Sequence, residues 1–549
     1  MSDQRWTWKT AGIALLILLA GLPLRWDLAR RIYLEPDESM YFQAANEPTW
    51  TGTWEACKIH THPPLAFLIY HPWLAFGKSE VLLRLPSIVF GAIATWIGYL
   101  WLVRKTDRRA ALVAIFVLTF SMPVLHVESQ MRSYSFLLTF VFGALWFNER
   151  FRETGSVRFV IGECLCLLLG LLTHYATAWV IGVLGVIGLI RALAWGLQST
   201  GTRAWVVSQI ALAGGCAWFY FHHVRGFVGG DVQQEFWASL GYAEAFDASV
   251  LGRLKVAVVS VLRFFGSIAG EFWLPMLAIV VVGSILFARR GSHSETKTES
   301  SWHERIEWLL LALAPIIFAG ALHAFRVYPF GATRHSLWVM PFVVLSVAAA
   351  AQPLLKKPGR AWRVGVAAAC LAWAFLYPYR RVTEFETKLT PELMQRMVSQ
   401  FQSLVPREDL VLTDESARNV LSYYLGREEV DRGHDIGRGF REYHISGYRF
   451  VTIPKFHTSW YSLREDWESF SSCLGEQTTQ PMWMIHMGFE IPVNDLKELG
   501  RRLPPATVIS RHTFADNHLL RLKFSAPKSD TAQAQSQGLA NPIEEGERS

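Results

Sequence analysis

Charge is scarce in this chain: Asp, Glu, Lys and Arg make up 18% of its 549 residues, against roughly 25% in an ordinary soluble domain. A wholly soluble globule is a poor fit to that shortage. Cysteine is scarce too. The six cysteines show no metal-ligand spacing; Cys164 and Cys166 share one apolar run, and Cys216 and Cys370 lie in others. Cys57 and Cys473 fall on the same side of the membrane in the topology below, where they pair if the compartment is oxidising or stay as two free thiols. The C-terminal part holds no Gly-rich nucleotide fingerprint, and there is no internal repeat. The start, with Arg5, Lys9 and an apolar run from 11 to 24, resembles a signal peptide. No small-x-small cleavage site follows it, so it reads as an uncleaved first span.

Apolar residues are abundant, at 51%, and there are 23 tryptophans, as expected where aromatic rings settle at membrane interfaces. Windows near the ~20 residues needed to cross a bilayer fall at about 8–25, 82–103, 110–127, 133–149, 159–174, 176–195, 204–222, 270–288, 307–325, 335–354 and 361–379. The sequence therefore predicts a mainly α polytopic membrane protein with about eleven transmembrane helices. Shorter apolar stretches at 63–77 and 254–268 read as helices lying in the interface. Loops at 104–109, 150–158, 191–203, 289–305 and 356–363 carry Lys and Arg, which places them and the N-terminus in the cytoplasm. An odd number of spans puts everything after Tyr379 outside, and the expected location is the cell (inner) membrane. Net charge is +7 overall, yet residues 380–549 hold 21 Lys and Arg against 24 Asp and Glu. The basic excess thus belongs to the membrane half, where positive cytoplasmic loops explain it, and not to nucleic-acid binding.

Three parts follow: a transmembrane domain over 1–379, an extracytoplasmic α/β domain over 380–526, and a Ser-, Gln- and Ala-rich disordered tail over 527–549. In the second part, LVLT (410–413), YRFVTI (448–453), MWMIHM (482–487), TVIS (507–510) and LLRLKF (519–524) read as strands. Helical windows at 415–425, 461–472 and 493–502 lie between them, and Thr390-Pro391-Glu392 reads as a helix start. Alternation of this kind suggests a small α/β domain.

The chemistry is expected at the outer face, because no cytoplasmic loop is large enough to be a domain. Asp37 and Glu38, in YLEPDESMYFQAA, follow the first span. Acids there can cap a helix whose first turn holds Pro36, and a carboxylate in that place can also take a proton from an attacking hydroxyl. His62 lies in HTHPPLAFLIYH; the two prolines enforce an extended entry to a helix, and His60 beside it makes a weak metal pair. Positive-inside topology disfavours basic residues on the outer side, yet Arg84, Arg132, Arg326 and Arg334 fall there. Such arginines snorkel to headgroups or clamp phosphate; Glu128 is placed to pair with Arg132. His174, Tyr134 and His335 are further candidates, each equally suited to a hydrogen-bonded interface role. Asp414-Glu415 follows a strand, where helix capping accounts for it as well as ligand binding does.

PDESMYFQAA, HPPLAFLIYHPWLAFGKSEVLLRLPSIVFG, ESQMRSYSFLL, THY and YPFGATRHSLWVMPF, in that order, resemble the GT-C glycosyltransferases over roughly residues 8 to 350. The chain is similar to the dolichyl-phosphate-mannose–protein mannosyltransferase-like enzymes and to the aminoarabinose transferases of lipid A. The resemblance implies a multi-span enzyme that takes a sugar from a polyprenyl-phosphate carrier at the outer face. It implies Asp37 as the base with Glu38 beside it, places His62 at the HPPL position, and puts Arg132 and Arg334, joined by Arg84, near the carrier phosphate. The aminoarabinose transferases typically have Lys before the two prolines; His62 stands there in this chain and weakens that substrate assignment.

The expected reaction is inverting transfer of a hexose or pentose to an acceptor hydroxyl of a protein, lipid or glycan. No cofactor is required, since arginines can neutralise the phosphate, and a divalent metal is left open. This reading needs Asp37 to share a cavity with Arg132 and Arg334. Its rivals are a transporter or flippase of lipid-linked sugars and a polysaccharide ligase using a diphosphate carrier. Transporters concentrate ionisable groups near mid-bilayer on broken helices; here Glu163 and Glu271 are the doubtful mid-span acids.

Overall fold

In the computed structural model of the protein, the described residues are 8–59, 62–196, 198–225, 249–290, 300–325, 327–355, 359–383, 390–426, 431, 433–437, 439–453, 463–464, 467–487, 503–514 and 517–525. They fall in two compact units. One comprises Met1–Arg30, Trp50–Val228 and Glu244–Phe385; the other contains Arg31–Thr49 and the chain from Glu386 onward.

The first unit is helical. Among the described residues, six helices are long and apolar enough to cross a membrane: Trp8–Arg31, Glu80–Lys105, Thr177–Ala194, Thr200–Val224, Val250–Gly283 and Arg334–Leu355. Two bent pairs raise the number to eight: Arg108–Phe120 with Met122–Glu128 at 58°, and Ile306–Ala312 with Ala314–Ala324 at 48°. The sequence led us to expect eleven. The other windows are helical but fall short in length or apolarity. Val157–Leu171 and Arg360–Ala374 have 15 residues each, and Tyr134–Thr154 ends in a charged run containing Glu149, Arg150 and Arg152. The 254–268 stretch, expected at the interface, belongs instead to the helix Val250–Ala269, the 20-residue first part of the Val250–Gly283 run. Gly270, at φ 58, separates it from the helix Trp273–Arg290; a Cβ at Gly270 would lie 2.2 Å from the Tyr377 ring.

Apolar side chains point both inward and outward here, as a lipid-facing surface requires. On the first helix Ala11, Ala14 and Leu18 are buried while Leu15, Leu16 and Leu19 are exposed. The innermost helix, Met340–Leu355, is rich in Ala and Val and is buried along nearly its whole length. Small residues let backbones approach closely where no water drives them together. A Cβ on Gly283 would come within 2.2 Å of the Ala350 Cβ.

A buried ionic cluster runs through this unit. The Lys105 ammonium lies 2.7 Å from Glu149 and 2.9 Å from Glu307. Arg191 donates to both Glu307 oxygens, at 2.6 and 2.9 Å, and to the Asn148 carbonyl at 2.9 Å. Asn148 in turn donates to Glu163 at 2.9 Å. Glu163 is thus a member of a helix-joining network.

The second unit contains a seven-stranded sheet in the order β2-β3-β4-β1-β5-β7-β6. The strands are β1 (Leu410–Thr413), β2 (His434–Gly437), β3 (Phe440–Ile445), β4 (Tyr448–Thr452), β5 (Met482–His486), β6 (Ala506–Phe514) and β7 (Asn517–Phe524). β4 and β5 flank β1 in parallel; the outer pairings are antiparallel. One face packs Leu412, Val451 and Met484 against Trp467 and Phe470. On the N-terminal side of β1 the helix Pro391–Leu404 is capped by Thr390, whose side chain accepts from the Leu393 N–H at 3.2 Å. Asp414 caps the helix Glu415–Leu425 by accepting from the Ala417 N–H at 2.8 Å. The capping reading of Asp414 therefore holds. Burial pushes its carboxyl up to about 6 against the pull of backbone hydrogen bonds. The expected helix at 493–502 and the tail from 527 lie outside the described residues.

Candidate active site

Asp37 and Glu38 open the helix Pro36–Ala45, which belongs to the second unit. Pro36 at the first turn has a fixed φ suited to a helix start. Glu38 is fully buried and accepts from the Glu35 N–H at 3.2 Å, completing a capping box. Asp37 is the half-buried member of the pair. Of the two acids, Glu38 thus fills the capping role.

The remaining candidates lie in the first unit. Tyr134, His174 and His335 come together: the Tyr134 ring is 4.9 Å from that of His174 and 6.2 Å from that of His335, and the two histidine rings are 6.5 Å apart. The Tyr134 hydroxyl is 3.4 Å from His335 Nδ1. Tyr328, not foreseen from the sequence, stands edge-on to His335 at 6.1 Å. The Ala176 N–H donates to His174 Nδ1 at 3.1 Å, so that nitrogen carries the lone pair and the proton of the neutral ring sits on Nε2. Burial, and then the charges of His62 and Arg334, push His174 down to about 3. It is therefore a neutral hydrogen-bonding group at pH 7, and His62 and Arg334 lie within electrostatic reach of it.

His62 is held by its backbone: its N–H donates to the Cys57 carbonyl at 3.2 Å and its carbonyl faces His223 Nε2 at 2.9 Å. Its ring meets Phe67 at 6.2 Å. His60 and Arg326 lie outside the described residues. Among the described residues no group of three or more His, Cys, Asp or Glu is placed to hold a metal.

Arg84 is fully buried and donates to the Ala29 carbonyl in the last turn of the first helix at 2.6 Å, a placement that suits a cation at a helix C-terminus. Arg132 is buried to 3% exposure. Its carbonyl accepts from Ser87 Oγ at 3.1 Å, and Ser87 Oγ lies 2.7 Å from the Tyr70 hydroxyl. Glu128, expected beside Arg132, pairs instead with Arg25 at 2.5 Å. Arg25 stands in the last third of the first helix, close to Asp27, Arg30 and Arg31, a charged neighbourhood in which the sequence does not single it out.

Cys57 and Cys473 are both free thiols. Cys57 Sγ donates to the Thr53 carbonyl at 2.9 Å, and burial pushes its thiol well up.

Comparison with known proteins adds the following. Residues 61–221 match the family model described as dolichyl-phosphate-mannose-protein mannosyltransferase. A search of curated proteins gives no match. Among solved structures, the chain is similar to ArnT from Cupriavidus metallidurans bound to undecaprenyl phosphate (12% identity, 95% of this chain and 98% of that one, TM-score 0.49). It is also similar to the oligosaccharyltransferase AglB from Archaeoglobus fulgidus in complex with an inhibitory peptide and a dolichol-phosphate (11%, 87% and 70%, TM-score 0.47). A third is the S. cerevisiae protein O-mannosyltransferase Pmt1-Pmt2 complex bound to the sugar donor (14%, 43% of this chain, TM-score 0.34), of which the match spans 37%. The matched stretch 61–221 carries His62, Arg84, Arg132, Tyr134 and His174.

Proposed function

We propose that this protein is a membrane glycosyltransferase that moves a sugar from a polyprenyl-phosphate carrier to an acceptor hydroxyl at the outer face of the membrane. The observation that carries the reading is the match over residues 61–221. The solved proteins that resemble the chain include one bound to undecaprenyl phosphate and one bound to a sugar donor, and we extend that donor class to this chain.

Asp37 takes the proton of the acceptor hydroxyl as its oxygen attacks the anomeric carbon. The bond from that carbon to the carrier phosphate breaks, and the carrier leaves as the free polyprenyl phosphate with both electrons of the bond. Arg132 and Arg334 neutralise the charge that grows on the phosphate oxygens. Displacement from the opposite face inverts the anomeric centre and needs no covalent intermediate on the protein. Neutral His174, grouped with Tyr134 and His335 and within reach of Arg334, offers an Nε2–H donor without adding positive charge.

The test uses purified full-length protein with a lipid-linked sugar. Asp37→Asn should nearly abolish transfer while membrane insertion and thermal stability stay normal; full activity in that variant rejects the base. Stabilisation by short-chain polyprenyl phosphate, rather than by the diphosphate or free sugar, should identify the carrier.

A further inference from the structure

The helix that carries Asp37 is built into the α/β unit. Its contacts run mainly to the helix Glu415–Leu425, which leaves the end of β1 behind its Asp414 cap. The Leu34 N–H, just before the acidic segment, donates to the Tyr424 hydroxyl at 3.0 Å. Gln43, two turns along the acid-bearing helix, donates to the Asn419 carbonyl at 2.9 Å and accepts from the Arg418 guanidinium. Phe42 meets the edge of Tyr423 at 5.1 Å and 84°, both rings fully buried.

Arg418 joins this contact to the sheet. It is 3% exposed, is held by Glu415 one turn earlier, and lies over the Tyr443 ring of β3 at 4.2 Å. The Tyr443 hydroxyl in turn faces the Glu415 carboxylate at 3.5 Å. A continuous path of buried and part-buried polar and aromatic contacts therefore runs from β3 through Arg418 to Gln43. Gln43 lies six positions after Asp37, just under two turns of one helix.

We infer that the C-terminal α/β domain positions the candidate base, with Arg418 as the positioning residue that fixes the Pro36–Ala45 helix. The inference rests on the reading of Asp37 as base. Reacting groups must be held in place to within about 1 Å, and a shift of that size costs on the order of 100-fold in rate. A helix preceded by a four-residue connection (Ile32–Glu35) would not hold a carboxylate so closely unaided. The guanidinium suits this place because its planar donors serve Gln43 and Glu415 while its face lies on Tyr443; an ammonium supplies only a point charge.

The test is carried out on the full chain. Arg418→Ala is the direct variant; Tyr424→Phe and Gln43→Ala loosen the same contact from milder positions in case Arg418→Ala disrupts the domain. Hydrogen exchange of the 34–45 amides should rise about 10-fold or more in each variant, while exchange of β1, β4 and β5 is unchanged in Tyr424→Phe. The transfer kcat should fall by roughly 10- to 100-fold with the KM for the carrier lipid unchanged, and Arg418→Lys should restore only part of it. In an Asp37→Asn background the Arg418 substitution should cost nothing further. Unchanged exchange at 34–45, or unchanged kcat in all three variants, overturns the positioning role even if Asp37→Asn is inactive. Full activity in Asp37→Asn overturns the base instead, and the exchange data still decide the docking.

Discussion

The Arg25 Nε lies 2.5 Å from a Glu128 carboxylate oxygen, and the two side chains are 3% and 1% exposed. This pair ties the first helix to the end of Met122–Glu128, four residues before Arg132. Arg25 also donates to the Gly21 carbonyl at 3.0 Å. Gly91 makes the room: a Cβ there would stand 2.4 Å from the Glu128 carboxyl carbon.

Breaking one member of such a pair leaves a buried charge alone, which costs about 3–5 kcal/mol, whereas replacing both by apolar groups is often near neutral. Glu128→Ala and Arg25→Ala should each lower the melting temperature in detergent sharply. Arg25→Met combined with Glu128→Leu should recover most of it. Equal melting of single and double variants would show that the pair carries no such strain. Gly91→Ala should be destabilising for the steric reason alone.

Arg334→Ala should chiefly slow transfer. A lost donor to developing charge costs about 2–4 kcal/mol in the transition state. The measurement is kcat/KM with varied carrier lipid at saturating acceptor. An unchanged value would assign Arg334 to lipid headgroups instead.

His486, at the end of β5, is 6% exposed and stacks 6.3 Å from His518. Burial, and then the neighbouring imidazole, push it down to about 4. Below the ordinary value near 6.5 the unfolded chain therefore binds a proton that the folded site refuses. Stability is full above about pH 6.5 and falls as pH drops from there toward 4, by at most about 3 kcal/mol from this group. Thermal unfolding of the α/β unit within the full chain should show this loss, and His486→Gln should flatten it. A variant with the same acid sensitivity as the parent would rule His486 out as its source.

Much of the second unit is legible in the sequence because its patterns are local. Thr390-Pro391 and Asp414 sit where caps belong, and LVLT and MWMIH are buried runs that become β1 and β5. β2 and β3 are not legible there: HDIG has one apolar side chain of any size, Ile436, and FREYHI breaks strict alternation, with Arg441 and His444 exposed three positions apart on a strand that pairs with both β2 and β4. In the membrane unit every apolar window became a helix, but the bends near residue 121 and at Leu313 depend on what packs around them. Positive-inside flanks such as Lys105 gave no hint that they meet Glu149 and Glu307, 44 and 202 residues away.

The sequence by itself determined where the apolar helices lie, though not how many of them are long enough to span, the α/β character of the C-terminal part, and which acids and arginines are costly enough in their places to be candidates. Those follow from hydropathy and short-range capping, which act within a few residues. Only the tertiary structure decided the partners: Glu128 with Arg25, His174 with Tyr134 and His335, and the Asp37 helix with Arg418. Each of these pairings joins residues far apart along the chain. A buried charge or hydrogen-bonding group takes whichever partner packing brings to it, and packing is a property of the whole fold.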